Sequence, residues 1–557
     1  MKISNKAPKF IAWLTLAIGI IDLVLNASRH FHHSNSNIGN YLLVYVNSSA
    51  YATSVFTGIV LILLSRGLRR RKKRAWNLTV GIVCLNLIAE FLRYRLHFTH
   101  IALSVILLGI LIYYRNEFKA ISDPTTKFRP LYLFIFATVT FSSLGVLILL
   151  FRHSDEVVGK HPIWELLKTV FLGFIWVDGP IKMDNRIAQD TLQVTLGTFG
   201  LFIILIPLWA YFRRISAIPT STISEQTEIA ELVDKHGDGD SLAFFATRED
   251  KSVVWTKNRK GGIAYRVQSG VMLASGDPFG PLTLWQEAIE EFLQTCLTHG
   301  WTPAVMGASE RGGRKWMDVA NLAAIEIGDE AIIQVEDYSL EGHTMSNVRQ
   351  TINKAKREGF TCKSQLIKDL TQEDRELIKA KAQEWRGNSV ERGFSMAMDR
   401  FMGEIDNPAL IILGYLEGKL VGFLYFVPWG KVGYSLDRMQ RAPEIPVGLT
   451  EMMIDAAVTF CAEHKMKSIS LNFAAFRSVI ERAEKINAGP LLRTLRTLIR
   501  ITSGWFQIDT LYRFNSKFNP DWQARYLLYP SVGELGNVIW AALRAEKFIQ
   551  IFGENRK

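Results

Sequence analysis

The side chains best suited to chemistry fall late in the chain. Asp437 closes an apolar, strand-like run beside a predicted turn that holds Arg438 and Arg441. A carboxylate there can bind an ammonium group or orient an attacking hydroxyl; a surface ion pair is the plain alternative. Lys517 and Arg513 lie among Phe514, Phe518, Trp522 and Tyr526. That mixture suits a phosphate headgroup or a stacked base, or else an interdomain core with bases at its rim. Earlier stands Ser275-Gly-Asp-Pro-Phe-Gly-Pro281, between an apolar run at 270–274 and a helical pattern over 282–299. Its two Gly and two Pro predict a tight strand-to-helix turn. Asp277 can cap the helix, and free backbone N–H groups there can hold an anion or a carboxyl ester. The bland reading is a turn and nothing more. Lys251 falls in another predicted turn and is expected to be inert.

Other chemistries lack their residues. The four cysteines, Cys84, Cys296, Cys362 and Cys461, form no CxxC pair, which argues against a disulfide scaffold and a thiolate zinc site. With no P-loop and no nucleophile elbow, neither nucleotide hydrolysis nor a covalent acyl-enzyme is expected, and neither is a metal or a cofactor.

These residues must be positioned by a chain of 557 residues, 48% hydrophobic, with mean hydropathy +0.10 and net charge +12. The basic balance suits phosphate-bearing partners, RNA or an anionic membrane. The apolar content is concentrated in the first ~215 residues, where six segments approach or exceed the ~17-residue length of a span: 10–26, 42–65, 76–92, 99–114, 130–151 and 191–212. Basic loops at 66–74, 115–129 and 213–214 place the N-terminus and everything after the sixth span in the cytoplasm. Ile163 to Trp176 reads as an interfacial or re-entrant helix, with a seventh span as the alternative. Asp22 and Glu90 fit headgroup level or a polar pathway; His30, His32 and His33 fit a solvated outer loop.

Residues 216–229 read as a linker. Beyond them one pattern runs twice. Strand-like stretches at 241–247, 252–256, 262–267 and 271–275 precede the Gly/Pro turn, a helix and a strand at 302–306. Stretches at 409–416, 419–428 and 432–437 precede a second Pro/Gly turn, a helix to about His464 and a strand at 468–473. The fold class expected is therefore an N-terminal α-helical membrane bundle (1–215) followed by an α+β domain of two tandem acetyltransferase-like folds (GNAT), 230–345 and 346–557. The helix at 346–359 opens the second of these. It carries Val348, Ile352 and Ala355 on one stripe and Arg349, Asn353, Lys354, Lys356 and Arg357 elsewhere. This is a solvated face or a face for tRNA or lipid phosphate.

Landmarks between Ala230 and Pro530 resemble one family: HGDGDSLAFFA (236–246), GGIAYRV (261–267), SGDPFGP (275–281), ERGFSM (391–396), YSLDRMQRAP (434–443), SLNFAAFR (470–477) and YRFNSKFNPDWQARYLLYP (512–530). It is the aminoacyl-tRNA-dependent phosphatidylglycerol aminoacyltransferases, the lysyl- and alanyl-phosphatidylglycerol synthases of the multiple peptide resistance factor family. Gln440 stands where members often carry Arg, and Val447-Gly448 where they often show Asn-Gly. The resemblance implies transfer of a lysyl or alanyl group from aminoacyl-tRNA to a hydroxyl of phosphatidylglycerol. It implies Asp437, Arg441 and Lys517 as catalytic, and Gly276, Asp277, Arg349, Glu384, Arg386, Asn472, Arg513 and Arg525 as substrate-binding. The expected partners are aminoacyl-tRNA, an anionic phospholipid and the bacterial cell membrane; a homo-oligomer is allowed. Two other readings stand beside it: the same chemistry on diacylglycerol or a peptidoglycan peptide, and a lipid transporter without catalysis.

Overall fold

The computed structural model describes residues 6–30, 57–69, 71–91, 98–118, 129–151, 162–181, 186–212, 221–387, 393–445, 448–473 and 511–547. Arg70, Lys119, Lys127, Arg213 and Arg214 of the orienting clusters, His32 and His33, residues 216–220, the start of ERGFSM, Val447 and the end of SLNFAAFR lie outside the described residues. The chain divides near residue 215 into two compact units.

The first unit is helical: α1 (Lys6–His30), α2 (57–69), α3 (Lys73–Phe91), α4 (Phe98–Tyr113), α5 (Arg129–Phe151), α6 (Ile163–Gly173) and α7 (Arg186–Phe212). Ile11, Leu61, Val83 and Leu107 pack α1 to α4 together, and Leu149, Val170, Leu192 and Leu196 pack α5 to α7. Gly197 permits the second packing, since a Cβ there would lie 2.2 Å from the Trp176 ring. The outer side of α5 leaves Tyr132, Phe136 and Val139 mostly exposed, as a lipid-facing helix does. Apolar stretches of 21 residues in α5 and α7 are long enough to cross a bilayer; those of α1 and α4 are shorter. The 11 residues of α6 reach about 16 Å, half a bilayer core.

The second unit opens with α8 (Ile223–His236), started by a capping box between Thr222 and Glu225. The linker expected at 216–229 is thus helical from residue 223. Likewise 241–247 is not a strand but a 3-10 turn, Ala243–Thr247. The strands of the first run are β1 (Ser252–Trp255), β2 (Gly262–Gln268) and β3 (Val271–Ser275), all antiparallel. After the Gly/Pro turn come α9 (Trp285–His299) and β4 (Thr302–Ala308), which is parallel to β3. Then come α10 (Glu310–Ala320), β5 (Ala323–Gln334) and α11 (Ser346–Arg357).

The second run repeats this order. Strands β6 (Phe360–Leu366), β7 (Leu410–Leu416), β8 (Lys419–Trp429) and β9 (Gly433–Arg441) are antiparallel, with α12 (Gln372–Arg386) after β6. Helix α13 (Leu449–Glu463) leads to β10 (Ser468–Phe473), parallel to β9. Strand β11 (Asp521–Tyr529) and α14 (Val532–Ala545) follow.

Among the described residues eleven strands form one sheet, in the order β1-β2-β3-β4-β11-β5-β10-β9-β8-β7-β6. The last strand of each run has crossed to the other. β5 pairs with β10, β11 pairs with β4, and β5 and β11 pair with each other at the centre. Alternation along each strand fills both faces. Val271 and Leu273 join a core with α8, α12 and α14 that runs under both halves, while Met272 and Ala274 meet α9 on the opposite face. In the second run Leu410 and Ile412 face α13 and α11.

Candidate functional site

The site is built around an irregularity in β9. Tyr425 of β8 pairs with Arg438 and Phe426 with Leu436, so Asp437 is the extra residue of a β-bulge. The sequence placed Asp437 at a strand end with Arg438 and Arg441 in a turn; in fact β9 continues through Arg441. The bulge turns Asp437 and Arg438 toward one face, where Arg438 lies over the Phe401 ring. The Asp437 carboxylate is fully buried. Its Oδ1 accepts a hydrogen bond from Met398 N (2.7 Å). Its Oδ2 accepts none among the described residues and lies 3.4 Å from Arg438 Nε. Burial pushes the carboxyl up to about 7, against the pull of Arg438 and the Met398 amide. Such a group can take a proton from a hydroxyl near neutral pH and return it.

A strap, residues 393–400, covers this carboxylate and is held at nearly every position. Phe394 N and Ser395 N donate to the buried Glu546 carboxylate. Met396 O accepts from Asn472 Nδ2 (2.7 Å), and Ala397 O accepts from Arg248 Nη1. The Asp399 carboxylate accepts from the backbone N–H groups of Glu249 and Asp250. Arg400 donates to Thr247 O and to Asp406.

Asn472 also donates to Leu436 O (2.9 Å), next to Asp437. It stands at φ +66°, a conformation Asn tolerates better than most residues. Its own N–H donates to Ser470 Oγ, and Ser470 in turn donates to Glu330. Glu330 is fully buried and pairs with Arg525. Arg525 uses all five N–H donors: on Glu330 twice, on Asp240, on Gly307 O and on Ser241 Oγ. It is a buried clasp joining β11, β5, β4 and the 236–242 segment, rather than an open phosphate ligand.

The first run repeats the key local sequence. Ser275-Gly276-Asp277 follows the end of the parallel pairing of β3 with β4, and Ser435-Leu436-Asp437 follows that of β9 with β10. Burial, and then the Asp240 carboxylate, push Asp277 up to about 7 as well. Both its oxygens are engaged, however, by Ser309 N (3.0 Å) and Ser309 Oγ (2.5 Å). Ser309 caps α10, so Asp277 buttresses that helix and not α9. Gly312 makes room, since a Cβ there would lie 1.8 Å from Asp277 Oδ1. The turn amides are engaged too: Gly276 N donates to Met306 O, and Phe279 N to Gly262 O.

Arg525 and Asn472 are thus joined through Glu330 and Ser470 in one buried polar chain that reaches Leu436 O beside Asp437, whereas Gly276 and Asp277 are bonded separately, to Met306 O and to Ser309. The other candidates lie elsewhere. Lys517 pairs with Glu451 in the first turn of α13 (2.9 Å), and Arg441 donates to Ile445 O (2.8 Å), both beyond the bulge at the far end of β9. Arg349 braces Leu340 O and Gly342 O. Glu384 is exposed and pairs with Lys381, Arg386 ends α12, and Arg513 is exposed in the helical segment 511–516. Sequence reasoning missed Arg248, Glu330, Glu546 and above all Lys251. Lys251 is fully buried and donates to Phe245 O and Ser275 Oγ, both at 2.7 Å. Burial, then the Arg248 charge, bring its ammonium down to about 7. Its one sequence signal is the apolar stretch on either side of Arg248–Lys251.

Residues 230–529 match the family model described as phosphatidylglycerol lysyltransferase, C-terminal, and residues 4–212 match the transmembrane region of lysyl-tRNA synthetase. The chain is 34% identical over 522 residues to the lysylphosphatidylglycerol biosynthesis bifunctional protein LysX of Rhodococcus jostii, covering 90% of this chain and 45% of that protein. With the protein of the same name from Mycobacterium tuberculosis it shares 38% over 359 residues, 64% of this chain and 30% of that one. The chain therefore spans less than half the length of these relatives. Among solved structures, L-PGS from Bacillus licheniformis aligns with TM-score 0.50 at 20% identity, over 60% of this chain and 98% of that one, a likeness of fold.

Proposed function

The chain belongs to the phosphatidylglycerol lysyltransferase family, and from that premise we propose that it transfers an aminoacyl group, lysyl in the first instance, from aminoacyl-tRNA to a hydroxyl of phosphatidylglycerol. An aminoacyl ester is already activated, so the protein has to align two substrates, move one proton and stabilise an oxyanion. The lipid hydroxyl attacks the ester carbonyl, the new C–O bond forms, and the tRNA ribose oxygen leaves. Asp437 accepts the hydroxyl proton and gives it to the departing oxygen. The bulged, buried carboxylate with an unbonded Oδ2 carries this reading. Arg441 and Lys517, at the far end of the same strand and the start of α13, serve the lipid phosphate. The two runs act as tandem acetyltransferase-like folds, and the buried clasp of Arg525 holds their strands in register. The helical unit anchors the protein in the membrane as a bundle of six spans, with the catalytic unit cytoplasmic. Each lysyl group transferred lowers the negative charge of the membrane.

The test is mass spectrometry of lipids from cells expressing the whole chain. A lysyl-phosphatidylglycerol mass that falls sharply with Asp437→Asn is expected. Aminoacylated diacylglycerol would move the acceptor, and an unchanged lipid profile would overturn the proposal.

A further inference from the structure

We infer that Arg248, in the first run, is a positioning residue for Asp437, and that it acts through the single peptide group between Ala397 and Met398; this rests on the proton-acceptor role proposed above. The two ends of that group have different partners. Its carbonyl, Ala397 O, accepts from Arg248 Nη1, and its amide, Met398 N, donates to Asp437 Oδ1 (2.7 Å). A peptide group is planar and trans, so its C=O and N–H point in opposite directions. Fixing the oxygen therefore aims the N–H. The guanidinium also draws electron density toward the oxygen and makes the N–H a stronger donor. Turned over, the same peptide would present its carbonyl to the carboxylate, and the bond from Arg248 opposes that turn.

Arg248 is itself held in place. It is almost fully buried and grips the Asp250 carboxylate at two points, Nε on Oδ1 (2.7 Å) and Nη2 on Oδ2 (3.0 Å). That fork leaves Nη1 for the strap. Arg266 of β2 steadies Asp250 in turn (3.0 Å). The clasp is reciprocal, because the Asp399 carboxylate of the strap accepts from Glu249 N (3.2 Å) and Asp250 N (3.0 Å). The strap cannot slide along residues 248–250 without breaking these three links. Backbone groups alone would tie two loops, and burying a guanidinium is costly. Here the cation is placed on the one peptide that touches Asp437.

Other charges act on the pair. Asp437 meets Arg438 of its own strand, Asp406 from the turn at 404–406, and Arg248, and it bears in turn on the Tyr425 hydroxyl of β8. Arg248 meets Asp250, Asp399 and Glu546, with the Lys251 ammonium close by. Burial raises the Asp437 carboxyl, Arg438 and the Met398 amide lower it, Asp406 raises it and Arg248 lowers it. Loss of Arg248 therefore removes one opposing charge and loosens the amide as well.

The experiment is the pH profile of initial transfer rate, from lysyl-tRNA to detergent-dispersed phosphatidylglycerol, by the solubilised full chain. In Arg248→Met the midpoint of the rise, about 7 in the wild type, should move up by about one pH unit. The deficit against wild type should then be about tenfold at ~pH 6, about fivefold at ~pH 7 and nearly gone at ~pH 8.5. Damage to the fold gives a deficit that does not shrink as pH rises. If Arg248→Met fails to fold, Arg248→Lys decides, since it keeps the charge and lacks the fork; its midpoint should move by about half as much and its deficit should shrink in the same way. The second readout is the residual rate of Asp437→Asn, which adding Arg248→Lys should leave within about twofold. A deficit independent of pH, an unmoved profile, or an equal further loss in the Asp437→Asn background each overturns the inference while the proton-acceptor role stands. If Asp437→Asn transfers at the wild-type rate, that role falls and the inference falls with it.

Discussion

Asp277 and Asp437 occupy the same place in the two runs of the second unit. Each follows a Ser by two residues where a parallel strand pair ends, and burial brings each up to about 7. Their surroundings differ. Ser309 engages both oxygens of Asp277 and fixes a helix start. Asp437 is bound through one oxygen to the strap, and its other oxygen has no hydrogen-bond partner among the described residues. Equal burial and equal shift thus accompany opposite assignments, a structural buttress and a proton acceptor. What separates them is the count of hydrogen bonds, which a pKa alone does not report.

The largest effect expected is one that abolishes the comparison. Arg525→Gln breaks a buried ion pair that bridges the two carboxylates' halves, and should cost about 3–5 kcal/mol in urea unfolding. Loss of less than about 1 kcal/mol would mean that the clasp does not hold the runs together. Next, Asp437→Asn should slow transfer by on the order of 10²-fold without lowering the melting temperature. Asp277→Asn should do the reverse, destabilising by about 1.5–3 kcal/mol, the worth of hydrogen bonds to a charged group, while the folded fraction turns over normally. An exchange of these two outcomes would break the comparison outright.

Titration sharpens it. Both carboxylates ionise more readily in the unfolded chain, so the folded state binds more protons, and stability should fall as pH rises from about 4 to about 7. Each Asn variant should remove part of that decline, but only Asp437→Asn should remove the rise of transfer rate through pH 7. Lys251 works in the opposite window. Its folded value lies below its unfolded one, so stability should climb from about pH 7 to about pH 10. The smallest effect is that of Lys251→Ala, which should cost about 1–3 kcal/mol and flatten that climb. The sequence reading expected this change to do nothing; calorimetry decides.

Much of the framework was legible because it is local. The Gly/Pro turn after β3 and the helical spacing of Ala288, Phe292 and Cys296 each declare themselves within a dozen residues. The surroundings of Asp437 do not. Met398 is 39 residues away in sequence, and Arg248 reaches the strap across 149. A bulge depends on the partner strand, so Tyr425 and Phe426 had to be seen opposite β9 before Asp437 could be recognised as the extra residue. Lys251 misled because Arg248-Glu-Asp-Lys251 has the composition of a surface turn, while tertiary contacts bury both of its cations.

The exchanged strands set an order of events as the chain is made. The edge of β4 emerges early, yet its partner β11 follows much later; Gly307 and Arg525 are 218 residues apart. Until then β4 presents unpaired backbone, a template for wrong partners. Closing so long a loop makes the central sheet a late and slow step of folding. Neither run can be completed before the other, so a nascent chain stopped short of Asp521 would hold two unfinished halves and no site.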